Sequence, residues 1–411
     1  MISFRFLPLF LLALASPGLA QDRAALFNEA AAIVEEQFFD PSMNGLDWAK
    51  VSAEHRARLT PHMEPSAFAD EVNAMLARLQ ASHTRLYTRD MPAWYQLAGV
   101  FMPASPRLAE ELAPFLQDGA PSYVGIGAFT ESDGEAHVVT GVLEGLPAAE
   151  AGLLLGDRIL SVGGEPFHPI LSWEGRAEER LALEVERRPG ETRTLTVTPR
   201  LLDGRTMFKQ AMRASARLIE RQGRDRQGRR IGYIRAWSYA GGDYQDILAG
   251  EALYGSLKEA EALVLDLRGG WGGANPQYLQ LFAERAVETT SLARDGSAFT
   301  FASAWTKPVV LLVDEGSRSG KELIAHGFRA LRIGPIVGER TAGAVLAGTL
   351  NVLSDGSLLY VAVSDVRVDG ERLEGVGVAP DIEVPFEPLH AAGADPQLER
   401  ALAEALALAE S

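Results

Sequence analysis

The chain contains no cysteine. Disulfides, thiolate metal sites and a cysteine nucleophile are therefore excluded. Basic residues are outnumbered: 39 Lys and Arg against 55 Asp and Glu give a net charge of −16, which argues against a nucleic-acid or anionic-membrane partner. Long apolar runs are missing too. The run over residues 6–15 is too short to span a bilayer. Arg5 precedes it, and small residues Gly18 and Ala20 follow, so residues 1–20 read as a secretory signal peptide cleaved before Gln21. Export to a bacterial periplasm fits a cysteine-free chain with such a leader, and no membrane association is expected after cleavage. There is no internal repeat and no low-complexity tract. What is present is 411 residues with 47% hydrophobic side chains, the composition of a soluble globular chain of two or three domains.

The character of the chain changes along its length. Residues 21–121 open with helical periodicity, carried first by Leu26, Ile33, Val34 and Phe38 and then by Val72, Met75, Leu76 and Leu79. The second of these helices is expected to run out around 81–86. Residues 86–121 are rich in Pro and Ala and carry no clear period. Over 122–200 short β runs appear at 124–129, 136–143, 158–162, 181–186 and 194–197, with one short helix at 148–153, as in a compact β-rich module. From about 230, apolar strands at 231–234, 262–267 and 309–313 alternate with helical patterns at 244–259, 275–286 and after Ser319, which predicts an α/β core with parallel pairing. Asp395-Pro396 predicts the start of a last helix within 391–411.

Ser319 lies between the buried run 309–313 and the next helical pattern. Backbone N–H groups converge at such a turn, so a serine there is a candidate nucleophile; the same position also suits a helix cap, and the segment alone leaves both open. A nucleophilic serine needs a base. Of seven histidines, His326 is two helical turns beyond Ser319, about 10 Å along the axis, too far for direct transfer. His55 and His62 fall in or beside a polar helical segment, His137 and His168 in the β-rich module, and His390 in the tail. His83 follows Ser82, a hydroxyl able to orient an imidazole, and a histidine ending a helix is equally explained by the macrodipole. Lys321 is two residues from Ser319, a spacing at which helical side chains diverge, so a mild effect is expected for its loss. Gly269, Gly270, Gly272 and Gly273 follow the strand 262–267; four glycines let the backbone approach a substrate and aim N–H groups at a developing oxyanion. No Gly-Lys-Ser/Thr follows, so a nucleotide site is not indicated.

Together these segments resemble the C-terminal processing and tricorn-core superfamily of serine peptidases. The residues carrying the resemblance are Leu265-Asp266-Leu267-Arg268-Gly269-Gly270-Trp271-Gly272-Gly273, Glu315-Gly316-Ser317-Arg318-Ser319, Gly338-Glu339-Arg340-Thr341-Ala342-Gly343, Glu374-Gly375-Val376-Gly377-Val378-Ala379-Pro380-Asp381, Asn44-Gly45-Leu46-Asp47-Trp48 and Ser82-His83-Thr84. The β-rich module is similar to a PDZ domain through Gly125-Ile126-Gly127, residues 147–153 and Gly156-Asp157-Arg158-Ile159. The resemblance implies an α/β multidomain chain: a helical segment over 21–121, a PDZ-like domain over 122–200, and a crotonase/Clp-like peptidase core over 201–390. It departs from the processing-type pattern at Ala344, where that branch has the lysine of a Ser–Lys dyad.

The tricorn-type branch uses a histidine base instead. By resemblance, Ser319 is the nucleophile, His83 the base, Ser82 and Glu374 its supports, and the backbone N–H groups of Gly272 and Gly320 the oxyanion donors. Polypeptides are then the substrates, by way of an acyl-enzyme, and no metal or cofactor is implied. The imidazole's ordinary pKa of about 6.5 leads to an expected pH–rate rise near that value. Tyr123, Val124, Gly125, Ile126 and Gly127 are expected to offer N–H groups to a peptide carboxylate, with a packing or gating role for the module as the alternative. Two other readings stand beside the peptidase. One is an inactive peptide- or ligand-binding protein on the same fold; the other is an acyl-CoA hydratase-like core, which the PDZ-like module and the leader disfavour.

Overall fold

The computed structural model describes residues 23–61 and 63–411. The expected signal peptide and His62 lie outside them.

The apolar run at 309–313 forms the strand Val309–Val313, with all five residues buried. It lies inside a six-stranded sheet in the order Arg217–Gln222, Gly228–Arg235, Ala262–Asp266, Val309–Val313, Ile336–Gly338, Ile382–Glu383. The first pair is antiparallel and the rest are parallel. These central strands read as continuous hydrophobic runs because helices cover both faces of the sheet. On one face Leu263, Leu265, Leu311 and Val313 share a core with Phe208, Leu248 and Phe328. On the other, Val264, Val310 and Leu312 meet Ala401, Leu402 and Ala405 of the helix Pro396–Ala409. That last helix begins as expected: Asp395 accepts the Leu398 N–H at 2.9 Å, and Pro396 takes the first position.

Other elements differ from expectation. The pattern at 275–286 forms a 3-10 helix, Pro276–Phe282, and the chain then leaves the body as an exposed hairpin, Glu288–Leu292 with Ala298–Ala302. The helix expected to reach 259 is Gly242–Leu253, and Gly255 follows its end. The Pro-rich stretch 86–121 holds two helices, Pro92–Phe101 and Pro106–Leu112. Its prolines mark helix starts, where the missing N–H costs nothing.

The N-terminal helices Arg23–Gln37, Trp48–Arg56 and Pro65–Ala77 pack on a three-stranded sheet of Arg85–Tyr87, Leu358–Ser364 and Ala347–Val352. Val34, Phe68, Val72 and Leu76 share one cluster with Leu359 and Val361, so the two ends of the chain build a common core. In the β-rich module the run at 124–129 breaks at Ile126-Gly127. Ser122–Gly125 pairs with Arg200–Asp203, while Ala128–Ser132 is the edge of a separate sheet beside His137–Val142.

A buried ionic network ties the last helix to the strand end at the centre of the core. Arg268 donates to Asp266 at 2.8 Å, to Asp395 at 2.8 and 2.9 Å, and to Gln397 at 3.1 Å. Tyr233 donates its hydroxyl to Asp266 at 2.9 Å. Burial alone would push the Asp266 carboxyl up, but the guanidinium groups of Arg268 and Arg235 hold it well below the usual carboxylate range. Arg268→Met leaves Asp266 buried beside a lost partner. It is expected to cost about 3–5 kcal/mol in urea unfolding. Arg268→Lys keeps the charge without the fork, and should recover only part of that.

Candidate functional site

The strand Val309–Val313 delivers the chain to Ser319, which sits at the N-cap of the helix Gly320–Ala330 with φ 58° and ψ −129°. Ser319 holds the cap position, and from there it also lines the cleft described below. A positive φ is strained for a non-glycine residue, at a cost of order 1–3 kcal/mol, and surrounding bonds must enforce it. They do so at the backbone. The Ser319 N–H donates to the Ala344 carbonyl at 2.8 Å and to Glu322 Oε2 at 3.1 Å. Glu322 is itself fixed by the Thr341 hydroxyl at 2.6 Å and by the N–H groups of Gly343 and Ala344 at 2.7 and 2.8 Å. Burial raises the Glu322 carboxyl above its ordinary value against these donors. Sequence reasoning assigned Glu322 no role; a Glu three residues after an N-cap serine is the capping-box signal that could have found it.

The glycine-rich turn meets this helix start at van der Waals limits. A Cβ on Gly272 would fall 2.5 Å from the Ser319 Cβ, and one on Gly320 would fall 2.2 Å from the Ala274 N. Gly270 presses on the Trp237 carbonyl, where a Cβ would come within 2.0 Å. Ser317 and Asp314 knit the two loops: the Ser317 hydroxyl donates to the Leu267 carbonyl at 2.9 Å, and Asp314 accepts the Gly269 N–H at 2.9 Å. Among the described residues, neither the Gly272 N–H nor the Gly320 N–H is spent on another protein acceptor.

His83 arrives from the other end of the chain. The preceding helix ends at Ala77, earlier than expected, so His83 does not cap a helix terminus. It stands in a turn at φ 55°, just before the strand Arg85–Tyr87. Arg85 pairs with Tyr360 across the sheet, and the Tyr360 ring lies edge-on to His83 with centroids 5.1 Å apart. Ser82 Oγ is 2.9 Å from His83 Nδ1 and donates to Glu374 Oε2 at 2.9 Å. The Ser82 N–H donates to Glu374 Oε1 at 2.9 Å. Glu374 is held in turn by the N–H groups of Val345 and Leu346, at 2.7 and 3.2 Å. A hydroxyl has one proton. With that proton on Glu374, Ser82 Oγ accepts from Nδ1–H, which leaves Nε2 with its lone pair free.

Ser82, His83, Gly272 and Ser319 line one cleft of about 250 Å3, which also includes Ala344. No hydrogen bond joins Ser319 Oγ to His83 among the described residues; catalytic hydrogen bonds are often long before substrate binds. Burial pushes the His83 imidazole down to about 4, with Glu374 opposing and Arg318 adding to the fall. The expectation of an ordinary value near 6.5 is corrected on that ground.

The remaining sequence candidates lie elsewhere. His326 faces Asp369 at 3.1 Å, and His55 faces Glu71 at 2.6 Å. Tyr123, Val124 and Gly125 are committed to the ladder with Arg200–Asp203. Tyr123 is buried, Ile126 gives its carbonyl to Ala148, and Gly127 gives its carbonyl to Leu143. The hollow beside Ile126, Gly127, Phe167 and Trp173 has a volume of about 10 Å3, the scale of one water rather than a peptide side chain.

The chain is similar to known proteins over most of its length. Residues 230–384 match Peptidase family S41, residues 19–77 the tricorn protease C1 domain, and residues 138–187 a PDZ domain. The core of this chain, residues 230–384, is an S41-family peptidase domain. Two Streptomyces coelicolor proteins named as tricorn protease homologues are 30% and 28% identical over 400 and 402 residues. The alignments cover 94% of this chain in both cases, but 32% and 35% of those relatives, so the chain spans about a third of their length. A chloroplastic C-terminal processing peptidase of Tetradesmus obliquus is 27% identical over 391 residues, 89% of this chain and 78% of that protein. Among solved structures, the tricorn protease superposes with a TM-score of 0.53 at 16% identity, over 95% of this chain and 37% of that one. The photosystem II D1 C-terminal processing protease gives 0.50 at 21% identity, over 91% and 98%. These two superpositions establish the shared fold.

Lys321 falls outside the cleft lining. Its side chain is fully buried, and Nζ donates to the carbonyls of Gly269 at 2.7 Å and Trp237 at 3.3 Å. Desolvation pushes the amine down to about 7, with Asp314 opposing. It therefore pins the glycine turn to the strand end that follows Arg235; the mild effect expected for its loss concerned proton transfer to Ser319, and burial adds a cost in stability. Lys321→Ala should lower unfolding stability by roughly 2–5 kcal/mol, measured by chemical denaturation, since it removes a large buried side chain and strands two carbonyls.

Proposed function

We propose that this chain is an exported serine endopeptidase that hydrolyses peptide bonds in polypeptides through an acyl-enzyme on Ser319. His83 is the general base, and Ser82 and Glu374 stand behind it. The observation that carries this reading is the hydrogen-bonded run Glu374–Ser82–His83 opening on the same cleft as Ser319 and two unspent N–H groups.

In the mechanism, Ser319 Oγ attacks the substrate carbonyl while Nε2 of His83 takes the hydroxyl proton. The carbonyl oxygen gains charge and is met by the N–H groups of Gly272 and Gly320, held at contact distance by the glycine packing described above. The C–N bond then breaks, and the imidazolium returns its proton to the leaving amine. Water repeats the cycle on the ester. The imidazolium is the species that Glu374 stabilises, through Ser82. In a free chain whose imidazole is pushed down to about 4, that support matters most once the charge has formed. No metal or cofactor enters this scheme. The PDZ domain packs on the core beside the site: Phe129 stacks on Trp237 at 5.4 Å, and Glu144 accepts the Trp237 indole N–H at 2.7 Å.

An inactive binding protein is the second reading, favoured by the absence of a Ser319–His83 hydrogen bond among the described residues. A fluorophosphonate probe separates the two: labelling at Ser319 indicates the enzyme, and no labelling of folded protein indicates the binder. Ser319→Ala should remove turnover of unfolded protein substrates by about a thousandfold or more. His83→Ala should come close to it, and the double variant should be no worse than either, because the pair acts as a unit.

The base works as neutral imidazole. Activity should therefore rise through about pH 4 and run level across neutrality. A rise centred near 6.5 would mean that the imidazole titrates as if exposed, and a rise near 9 to 10 would point to a lysine instead.

A further inference from the structure

The cleft beside Ser319 is asymmetric in charge. One wall is apolar, built from Leu97, Val100 and Phe101 of the helix Pro92–Phe101. The charged side chains that line it, His83 aside, are Arg85 and Arg318; no carboxylate lines it. Both arginines are exposed. Some surface arginines of this acidic chain meet carboxylates, as Arg58 does with Glu71, Arg107 with Glu111, Arg329 with Asp381 and Arg372 with Asp365, and others, among the described residues, stand alone in solvent; Arg85 and Arg318 differ from both groups in lining a cleft. Among the described residues, Arg85 and Arg318 have no such partner within 4.0 Å. The Arg85 guanidinium lies 5.9 Å from the centroid of the Tyr87 ring, and Arg318 Nε donates at 3.3 Å to the Gly316 carbonyl of its own loop. Most of their donors are unused.

Both guanidinium groups line the same cleft, together with Tyr87 and His83. Burial raises the Tyr87 phenol, and both arginines oppose that rise. Arg318 further acts on His83. Two unpaired cations lining one cleft repel each other. A carboxylate between them relieves that repulsion and supplies the acceptor geometry for which guanidinium is built.

We propose that Arg85 and Arg318 form a subsite for a substrate carboxylate, next to an apolar pocket walled by Leu97, Val100 and Phe101, so that preferred peptides carry a carboxylate close to the scissile bond. The carboxylate has two sources, an Asp or Glu side chain or the C-terminus of the substrate itself. Bound there, it also offsets the positive charge that Arg318 projects on His83, which makes the imidazole a better proton acceptor with substrate in place. This inference rests on the peptidase reading of the same cleft.

The test uses fluorescent peptides in matched pairs, binding to the full-length Ser319→Ala protein by anisotropy and turnover by wild type. One pair exchanges Glu for Gln beside a Leu; the other exchanges a free C-terminal acid for its amide. The charged member of one pair is expected to bind about tenfold to a hundredfold more tightly, the scale of a charge-assisted hydrogen bond. The preference should shrink as salt is raised, and fall in Arg85→Gln and Arg318→Gln versions whose circular dichroism is unchanged. The pair that shows it identifies the source. Equal binding within both pairs overturns the subsite, as does a preference that persists in the folded Arg85→Gln/Arg318→Gln double variant. If wild type cleaves charged and neutral peptides equally well, the subsite fails and the peptidase stands. If Ser319→Ala binds with the preference and wild type cleaves neither, the subsite stands and the peptidase reading fails.

Discussion

Two missing side chains set the geometry of this cleft. Gly272 lets the glycine turn touch Ser319, and Gly320 lets the helix start touch Ala274. With a Cβ at either place, the turn and the helix would have to move apart by more than an ångström to restore ordinary contact. The rest of the local structure holds that contact closed. Asp314 and Ser317 bridge the loops from one side, Glu322 gathers the N–H groups of Ser319, Gly343 and Ala344 from another, and Lys321 seals the interior by donating to Gly269 and Trp237. Each of these is a charged or hydroxyl group spent on the backbone rather than on substrate. That is how a serine is kept at φ 58° without a glycine's freedom.

The second half of the site is assembled over a much longer chain distance. Ser82 and Glu374 are 292 residues apart and share two hydrogen bonds. What brings them together is hydrophobic: the N-terminal helices and the sheet of Arg85–Tyr87 with Leu358–Ser364 bury one cluster between them. The same register that pairs Arg85 with Tyr360 sets the Tyr360 ring against His83. The proposed base is thus aligned by packing energy spread over many residues, while the serine is aligned by a few polar bonds nearby. Trp237 lies between these regions and the PDZ domain. It gives its carbonyl to Trp271 and Lys321, its indole N–H to Glu144, and its ring to Phe129.

Local signals reached some of this and not the rest. The strand Val309–Val313, the turn at Ser319 and the Asp395 cap are readable because each is written in consecutive residues: an apolar run, a break, a cap with its proline. The Ser82–His83 contact is readable for the same reason, being between neighbours in sequence. Glu374 was reached only by resemblance. Tyr360 was given no role, since its partners are tertiary, and of Glu322 only the local capping box with Ser319 is written in the sequence, not its bonds to Thr341, Gly343 and Ala344. The helix before His83 runs short because its last apolar residues, Leu76 and Leu79, belong to the core while the chain already turns at Arg78. The imidazole's displaced pKa could not be read at all: desolvation is a property of the surroundings, and no residue beside His83 in sequence announces it. The small hollow at Ile126-Gly127 is of the same kind, since Phe167 and Trp173, which line it, lie 40 and more residues away.

Ala344 connects these points to the choice of base. Its carbonyl takes the Ser319 N–H at 2.8 Å, and its residue lines the cleft beside His83 and Arg318. In the processing-type pattern that the chain resembles, a lysine stands at this place. Here a lysine would bring a third cation into a cleft already lined by two guanidinium groups and no carboxylate. The interaction between like charges a few ångströms apart in a partly desolvated site is several kcal/mol, so the amine would be driven to lose its proton or turn away. A methyl group avoids that conflict. It leaves the space to a neutral imidazole, while Glu374 sits behind Ser82 and Glu322 is spent on backbone N–H groups, neither lining the cleft. The alanine, the half-buried histidine and the unpaired arginines are thus mutually consistent with the proposed reading, in which the cleft holds its proton acceptor uncharged and leaves its cations for something that arrives with a negative charge.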